Sequence, residues 1–271
     1  MTPAFARPAT LPASRLWADA PILTGIALLM ALGCLPILSA AAFDTRLFQG
    51  DNIWLKPFKF HLALAIYTIT LAYFARFMSE ATRASRLWRN YLTVAAAAIV
   101  AEVVWIGGAA ALGTASHFNT SSPLWSGLYA LMGVSAVTLT SVSLVMGVSI
   151  WRNQSSGLDP ALHLSITLGL ILTFALTVIV AGTMSSGTGH FVGSPLTDAR
   201  LPLFGWSREV GDLRAPHFLA THALHAVPLA GLIVTRLAPA QPIRLVWLAA
   251  SGYAALVLAM FVQALLGLPL I

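Results

Sequence analysis

Long apolar runs alternate with short polar segments along most of this chain. At a rise of 1.5 Å per residue, about 20 apolar residues cross the hydrocarbon core of a bilayer. Windows of this length predict seven spans, at residues 21–43, 57–78, 91–112, 124–150, 162–184, 215–235 and 244–268. We therefore predict an all-α fold, a polytopic integral membrane bundle of seven transmembrane helices that forms a single domain over residues 21–271.

The composition limits the class of protein to which the chain can belong. Of its 271 residues, 58% are hydrophobic and 9% are charged, and the mean hydropathy is +0.82. Soluble domains carry about 25% charged residues, so this composition excludes a soluble enzyme and makes the lipid bilayer the first expected partner. The single cysteine, Cys34, excludes an intramolecular disulfide and a multi-cysteine metal site. Any bound metal would therefore need histidine and carboxylate ligands.

The basic residues predict how the spans are oriented. They lie in short flanks of the apolar runs and form no single stripe, so we expect no nucleic-acid partner. If the N-terminus is cytoplasmic, nine of the 15 basic residues lie on the cytoplasmic side, namely Arg7, Arg15, Arg76, Arg83, Arg86, Arg89, Arg152, Arg236 and Arg244. The positive-inside rule then predicts a cytoplasmic N-terminal segment at residues 1–20 and a C-terminus outside.

The segments predicted to lie outside carry most of the polar chemistry. They comprise residues 51–61 at the start of the second span, residues 116–119 after the third, and a loop at about 185–215. A connection of roughly 30 residues is uncommon in a compact domain, and such loops are usually functional. We therefore expect the functional site at the outer face.

Histidine is rare in membrane spans because its ring needs a polar partner, yet this chain contains seven. Three of them, His217, His222 and His225, follow one another at the start of the sixth span. At about 100° per residue, these three rings lie on one side of a helix. His117 and His190 lie at the outer ends of the third and fifth spans. The pattern predicts a group of imidazoles at the outer face.

Neutral histidine is the commonest metal ligand, and facing histidines hold b-type haems in membranes. The predicted ligands of haem b or another transition metal are His117, His190, His217 and His222. The cations expected to bind haem propionates or an anionic substrate are Lys56, Lys59 and Arg214. Asp212 is placed to orient a ligand histidine or to be a ligand itself. The alternative is a set of histidines with structural hydrogen bonds only.

Glu102 falls near the middle of the third span, where a carboxylate is costly unless it is protonated or paired. Glu102 and His225 both lie about 15 Å below the outer boundary, so we expect them to approach each other if their helices are neighbours. Proton relay, ligand and counter-ion are the roles that remain open for Glu102. The expected catalytic residues are Glu102, Asp212 and Arg214.

Several short segments resemble a family of uncharacterised bacterial seven-helix membrane proteins. The resemblance covers the second to sixth spans and rests on residues 56–60 (KPFKF), 116–119 (SHFN), 205–207 (GWS), 211–214 (GDLR), 217–218 (HF) and 222–224 (HAL). It implies a multi-pass location in the bacterial inner (plasma) membrane and supports this choice of residues, but it implies no reaction. His225 stands where the family has glutamine, which makes His225 a weaker ligand candidate.

Four function classes remain open on these residues, the last of them an assembly or structural subunit. The leading one is a membrane oxidoreductase with a histidine-bound haem or redox metal, a lipid-soluble or small-molecule substrate and an electron-transfer partner. A zinc-dependent hydrolase of a lipid amide or ester would use the same histidines with a carboxylate and Ser116. A transporter or sensor would use the histidines and Glu102 as titrating groups along a pathway.

Overall fold

A computed structural model describes residues 13–238 and 240–271, and it confirms the seven-helix fold. The seven helices that are long and apolar enough to cross a membrane are α2 (Pro21–Phe43), α3 (Leu55–Ala75), α5 (Arg86–Ala111), α6 (Pro123–Arg152), α7 (Pro160–Ser186), α8 (Arg214–Leu237) and α9 (Pro242–Leu265). Two short helices, α1 (Ala13–Asp19) and α4 (Glu80–Ala84), precede α2 and α5.

The helix bounds differ most from the prediction where polar residues enter the first turn. The predicted third span starts at residue 91, whereas α5 starts at Arg86. The Ser85 hydroxyl accepts a hydrogen bond from the backbone N–H of Trp88 and so caps the helix. A search for apolar windows does not detect a first turn that is made of polar residues. Of the predicted 1–20 segment, residues 1–12 lie outside the described part, and the rest forms α1 and the single residue, Ala20, that links it to α2.

Alternation of the helices places three connections at one end of the bundle. These connections are residues 44–54, 112–122 and 187–213, and the chain end after α9 joins them. We call this end the polar end. Its first connection contains the hairpin β1 (Leu47–Phe48) and β2 (Asp51–Asn52), and its longest contains β3 (Phe191–Val192) paired with β4 (Gly211–Asp212). The predicted 185–215 loop is therefore an ordered connection with its own short sheet.

Helices α7 and α8 form the most extensive helix–helix contact, and small residues allow it. A Cβ added to Gly169 of α7 would lie 2.7 Å from Cδ of Pro228 and 3.0 Å from the carbonyl oxygen of Ala223, both in α8. The hydroxyl of Thr173 also accepts a 2.7 Å hydrogen bond from the backbone N–H of Leu224. This contact fixes the rotation of α8 about its own axis, and with it the direction of the α8 histidines.

The α7–α8 contact predicts a difference between two alanine substitutions in the same helix. Gly169→Ala should destabilise the protein by about 1–3 kcal/mol, because its new methyl group overlaps α8. Gly182→Ala is the matched control, since no atom lies within 4 Å of its added Cβ, and it should be neutral or stabilise by up to about 1 kcal/mol. Thermal unfolding in detergent measures both, and equal melting temperatures would contradict the packing.

Candidate functional site

The polar end gathers side chains from three separate parts of the chain. Lys56 starts α3, His117 lies between α5 and α6, and the long connection with the first turns of α8 supplies the others. Lys56 Nζ lies 3.2 Å from Nδ1 of His117, although 61 positions separate the two residues. This pair is the most direct contact between the predicted cations and the predicted ligands.

Two donors share the Nδ1 atom of His117. An ammonium group can only donate, so His117 accepts from Lys56 at Nδ1 and carries its own proton on Nε2. The Ser116 hydroxyl lies 3.0 Å from the same Nδ1 atom. Burial lowers the pKa of His117 to about 3, and the charges of Lys56 and His217 act in the same direction. His117 is thus a neutral ring that presents an N–H and whose lone pair is already used.

His190 and His217 each bury a ring nitrogen that has no hydrogen-bond partner among the described residues. These atoms are Nε2 of His190 and Nδ1 of His217. The backbone carbonyl of His190 accepts a 2.9 Å hydrogen bond from the backbone N–H of Leu213, which connects the residue before β3 to the start of α8. Burial and the charge of Arg214 lower the pKa of His190 to about 4, while Asp212 opposes the shift. The cost of leaving such nitrogens unpaired suggests a ligand or water at this position.

His222 is held by its own helix in one tautomer. Its Nδ1 lies 2.7 Å from the carbonyl oxygen of Phe218, which can only accept, so Nδ1 carries the proton. The Phe218 ring stacks on the His222 ring at 4.0 Å between centroids, and Trp206 packs edge-on against Phe218 at 5.7 Å. The lone pair of neutral His222 is therefore on Nε2, the arrangement in which a backbone carbonyl orients a metal-binding histidine.

His225 and Glu102 lie deeper, and each is held by a different part of the bundle. His225 Nε2 lies 3.0 Å from the hydroxyl of Thr70 in α3, and its ring centroid is 5.4 Å from that of His222. Glu102 is 5% exposed and lies in α5 between Ile99 and Val103, two members of an apolar cluster of α2, α3 and α5. The contact made by His225 is thus with α3, and its approach to Glu102 stays a prediction.

Asp212 and Arg214 form a tight ion pair instead of a histidine–carboxylate contact. Both carboxylate oxygens of Asp212 accept from Arg214, with the shortest distance 2.6 Å to Nη2, and Oδ2 also accepts from the backbone N–H of Ser207. Arg214 further donates to the carbonyl oxygen of Gly205 at 2.7 Å. Asp212 therefore orients Arg214 and the long connection, a role that sequence spacing did not reveal.

The predicted residues thus divide into those the structure brings together and those it leaves apart. Lys56 contacts His117, and Arg214 contacts Asp212 beside the His190 strand. Lys59 is exposed and makes no hydrogen bond among the described residues. Sequence reasoning missed Thr70, because nothing in its spacing distinguishes it from an ordinary core residue, and it did not predict that Phe218 stacks on His222.

The donor atoms fit a histidine-bound metal only in part. His190, His217 and His222 each have a ring nitrogen without a hydrogen-bond partner, and such a nitrogen can bind a metal. The Nδ1 lone pair of His117, in contrast, already accepts a hydrogen bond from Lys56. Within residues 13–238 and 240–271, no three His, Cys, Asp or Glu side chains come together as a ligand group. Histidine-bound haem and zinc therefore both stay hypotheses for this end of the bundle.

Comparisons with known proteins give no further guide: no family model matches the chain, and neither a curated protein nor a solved structure matches it significantly. The resemblance to bacterial seven-helix membrane proteins stays a prediction. The geometry of the polar end therefore has to carry any functional conclusion.

The ion pair predicts a large difference between two acidic residues of the same connection. Asp212 is 4% exposed in its side chain, and Asp212→Ala would leave Nε of Arg214 and the Ser207 N–H without an acceptor and the guanidinium without its counter-charge, at a cost of about 2 kcal/mol or more. Asp198 also pairs with an arginine but is 75% exposed, so Asp198→Ala should change stability by less than about 1 kcal/mol. Chemical unfolding in detergent compares them, and similar losses would contradict the assigned role.

Proposed function

We propose that this protein is an integral membrane oxidoreductase that binds haem b or another redox metal through histidines of the polar end. The observation that carries the proposal is a set of three histidine ring nitrogens that no hydrogen bond among the described residues engages. They are Nε2 of His190, Nδ1 of His217 and Nε2 of His222. His190 directly precedes β3, and the other two lie in the first turns of α8, which packs extensively against α7. A bound redox metal would supply one-electron chemistry at this end of the bundle.

The surrounding residues have roles that suit such a site. Arg214, fixed by Asp212, presents a cation near His190, and Lys56 presents a second one beside His117. The Phe218 ring covers one face of His222, and Trp206 packs against Phe218 in turn. A lipid-soluble substrate would reach this end from the bilayer, and a protein or small molecule would exchange electrons at it. Glu102 is proposed to carry protons.

Metal content in matched variants tests the ligand assignment. Protein from cells grown with added iron should contain about one metal or haem per chain, and His190→Gln, His217→Gln or His222→Gln should lower that content at least several-fold. His163→Gln is the control, because His163 lies at the opposite end and bonds the carbonyl oxygen of Ile150.

The same preparations separate the other function classes. About one zinc per chain in a colourless protein would replace the oxidoreductase by the zinc hydrolase, with the substrate a lipid amide or ester. Metal-free wild-type protein, or full metal content in all three histidine variants, would overturn the proposal. The transporter or sensor, with the histidines and Glu102 as titrating groups, would then remain.

We further propose that the polar end faces the outside of a bacterial inner membrane. Nine of the 15 basic residues flank the opposite end or precede α2, and the positive-inside rule places that side in the cytoplasm. Alkaline phosphatase folds only outside the cytoplasm, so its fusion after Ile271 should be active and its fusion in the 153–159 loop inactive. The reverse result would invert the orientation.

A further inference from the structure

The polar end has a positive charge that the described acidic residues do not neutralise. Lys56 is exposed, and the contact of its ammonium group is with the neutral ring of His117. Among the described residues, it forms no ion pair with an aspartate or glutamate. A neutral imidazole shares the proton of an ammonium group but does not cancel its charge. This charge is therefore open to an anion that approaches from the polar end.

Arg214 adds a second cation that is only partly used. Its Nε and Nη2 atoms bind Asp212 and the carbonyl oxygen of Gly205, and its side chain is still 32% exposed. Lys56 and Arg214 lie within Coulombic reach of each other and of the His190 ring. Two cations and one carboxylate leave a net charge of about +1 beside half-buried imidazoles.

Two helix N-termini strengthen the potential at the same place. Helix α3 begins at Leu55, next to Lys56, and helix α8 begins at Arg214. Neither N-cap residue, Trp54 or Leu213, accepts a hydrogen bond with its side chain. The positive ends of both helix dipoles lie beside the two cations and favour negative charge; at α8 the Asp212 carboxylate already accepts from the backbone N–H of Arg214, so the N-terminus of α3 contributes more to binding a further anion.

We propose that Lys56, together with Ser116, His117 and the exposed edge of Arg214, binds the phosphate group of an anionic ligand. A phosphate offers oxygens in several directions, so it can accept from donors on α3, on the 112–122 connection and on α8. The phosphate would belong to the headgroup of an anionic phospholipid or to a soluble phosphate ester. This site goes beyond the redox function and requires no bound metal, although the two would be neighbours.

Binding is measured as a shift in melting temperature, because a ligand that binds the folded state stabilises it. Purified full-length protein in phosphatidylcholine nanodiscs is titrated with sodium phosphate against sodium chloride of equal ionic strength. A second series replaces part of the phosphatidylcholine by phosphatidylglycerol. A shift with inorganic phosphate assigns a soluble ester, and a shift with phosphatidylglycerol alone assigns a lipid headgroup.

Charge-matched variants locate the site. Lys56→Gln and Lys56→Met should each raise the apparent Kd about tenfold or more, because each removes a charge-assisted hydrogen bond. Arg208→Gln is the control: Arg208 is an exposed cation of the 187–213 connection, and its side chain makes no hydrogen bond or ion pair among the described residues, so binding should be unchanged. Size-exclusion profiles show which Lys56 variant is folded. One folded variant is enough for the test.

Two results would overturn this site. The first is a wild-type melting temperature that responds neither to phosphate nor to phosphatidylglycerol. The second is a folded Lys56 variant that binds as tightly as the wild type. Metal content is measured on the same samples, so that the result for phosphate is separate from the result for the redox proposal. Phosphate binding by metal-free protein would support the phosphate site and refute the metal site.

Discussion

The hydrocarbon core of a bilayer offers no hydrogen bonds, and this constraint determines where chemistry can occur in this chain. Each crossing must satisfy its backbone internally, so seven apolar helices take up most of the described sequence. Polar side chains then collect at helix ends, where water and connections can pair them. The polar end is the result: it holds the Lys56–His117 contact, the Asp212–Arg214 ion pair and the histidines of α8.

Helix α8 connects this end to the packed interior. It starts at Arg214 with the candidate ligands His217 and His222, and its middle packs closely on Gly169 of α7. The contact with α7 fixes the direction in which the α8 histidines point, so this direction does not depend on the conformation of a loop. Glu102 remains the exception, a buried carboxyl group in α5, next in sequence to Val103 of an apolar cluster of α2, α3 and α5. A buried acid in that position carries a cost that a functional role would explain.

The sequence predicted the helices well because the spans follow from length and hydropathy alone. The predicted first span, 21–43, coincides with α2, and errors arose where a polar cap extends a helix, as Ser85 does for α5. The site was predicted less completely. Helical periodicity placed the α8 histidines on one side, but it cannot reveal which neighbours face them.

Contacts between distant parts of the chain account for what the sequence left open. The pairing of Lys56 with His117 and of His225 with Thr70 depends on how helices pack, and no local pattern encodes it. The β3–β4 sheet pairs Phe191, the residue after His190, with Asp212. The Asp212 carboxylate nevertheless accepts from Arg214, two residues away, and not from a histidine. Charge and spacing identified the residues of the polar end, whereas their partners required the fold.

The absorption spectrum of the purified protein, recorded before and after reduction with dithionite, tests the central claim most directly. A Soret band that shifts on reduction would show a histidine-bound haem, and a change in the visible bands of another metal would show a different redox centre. The account predicts one of these changes, abolished by His217→Gln. A spectrum without metal or haem absorption that dithionite leaves unchanged would contradict it.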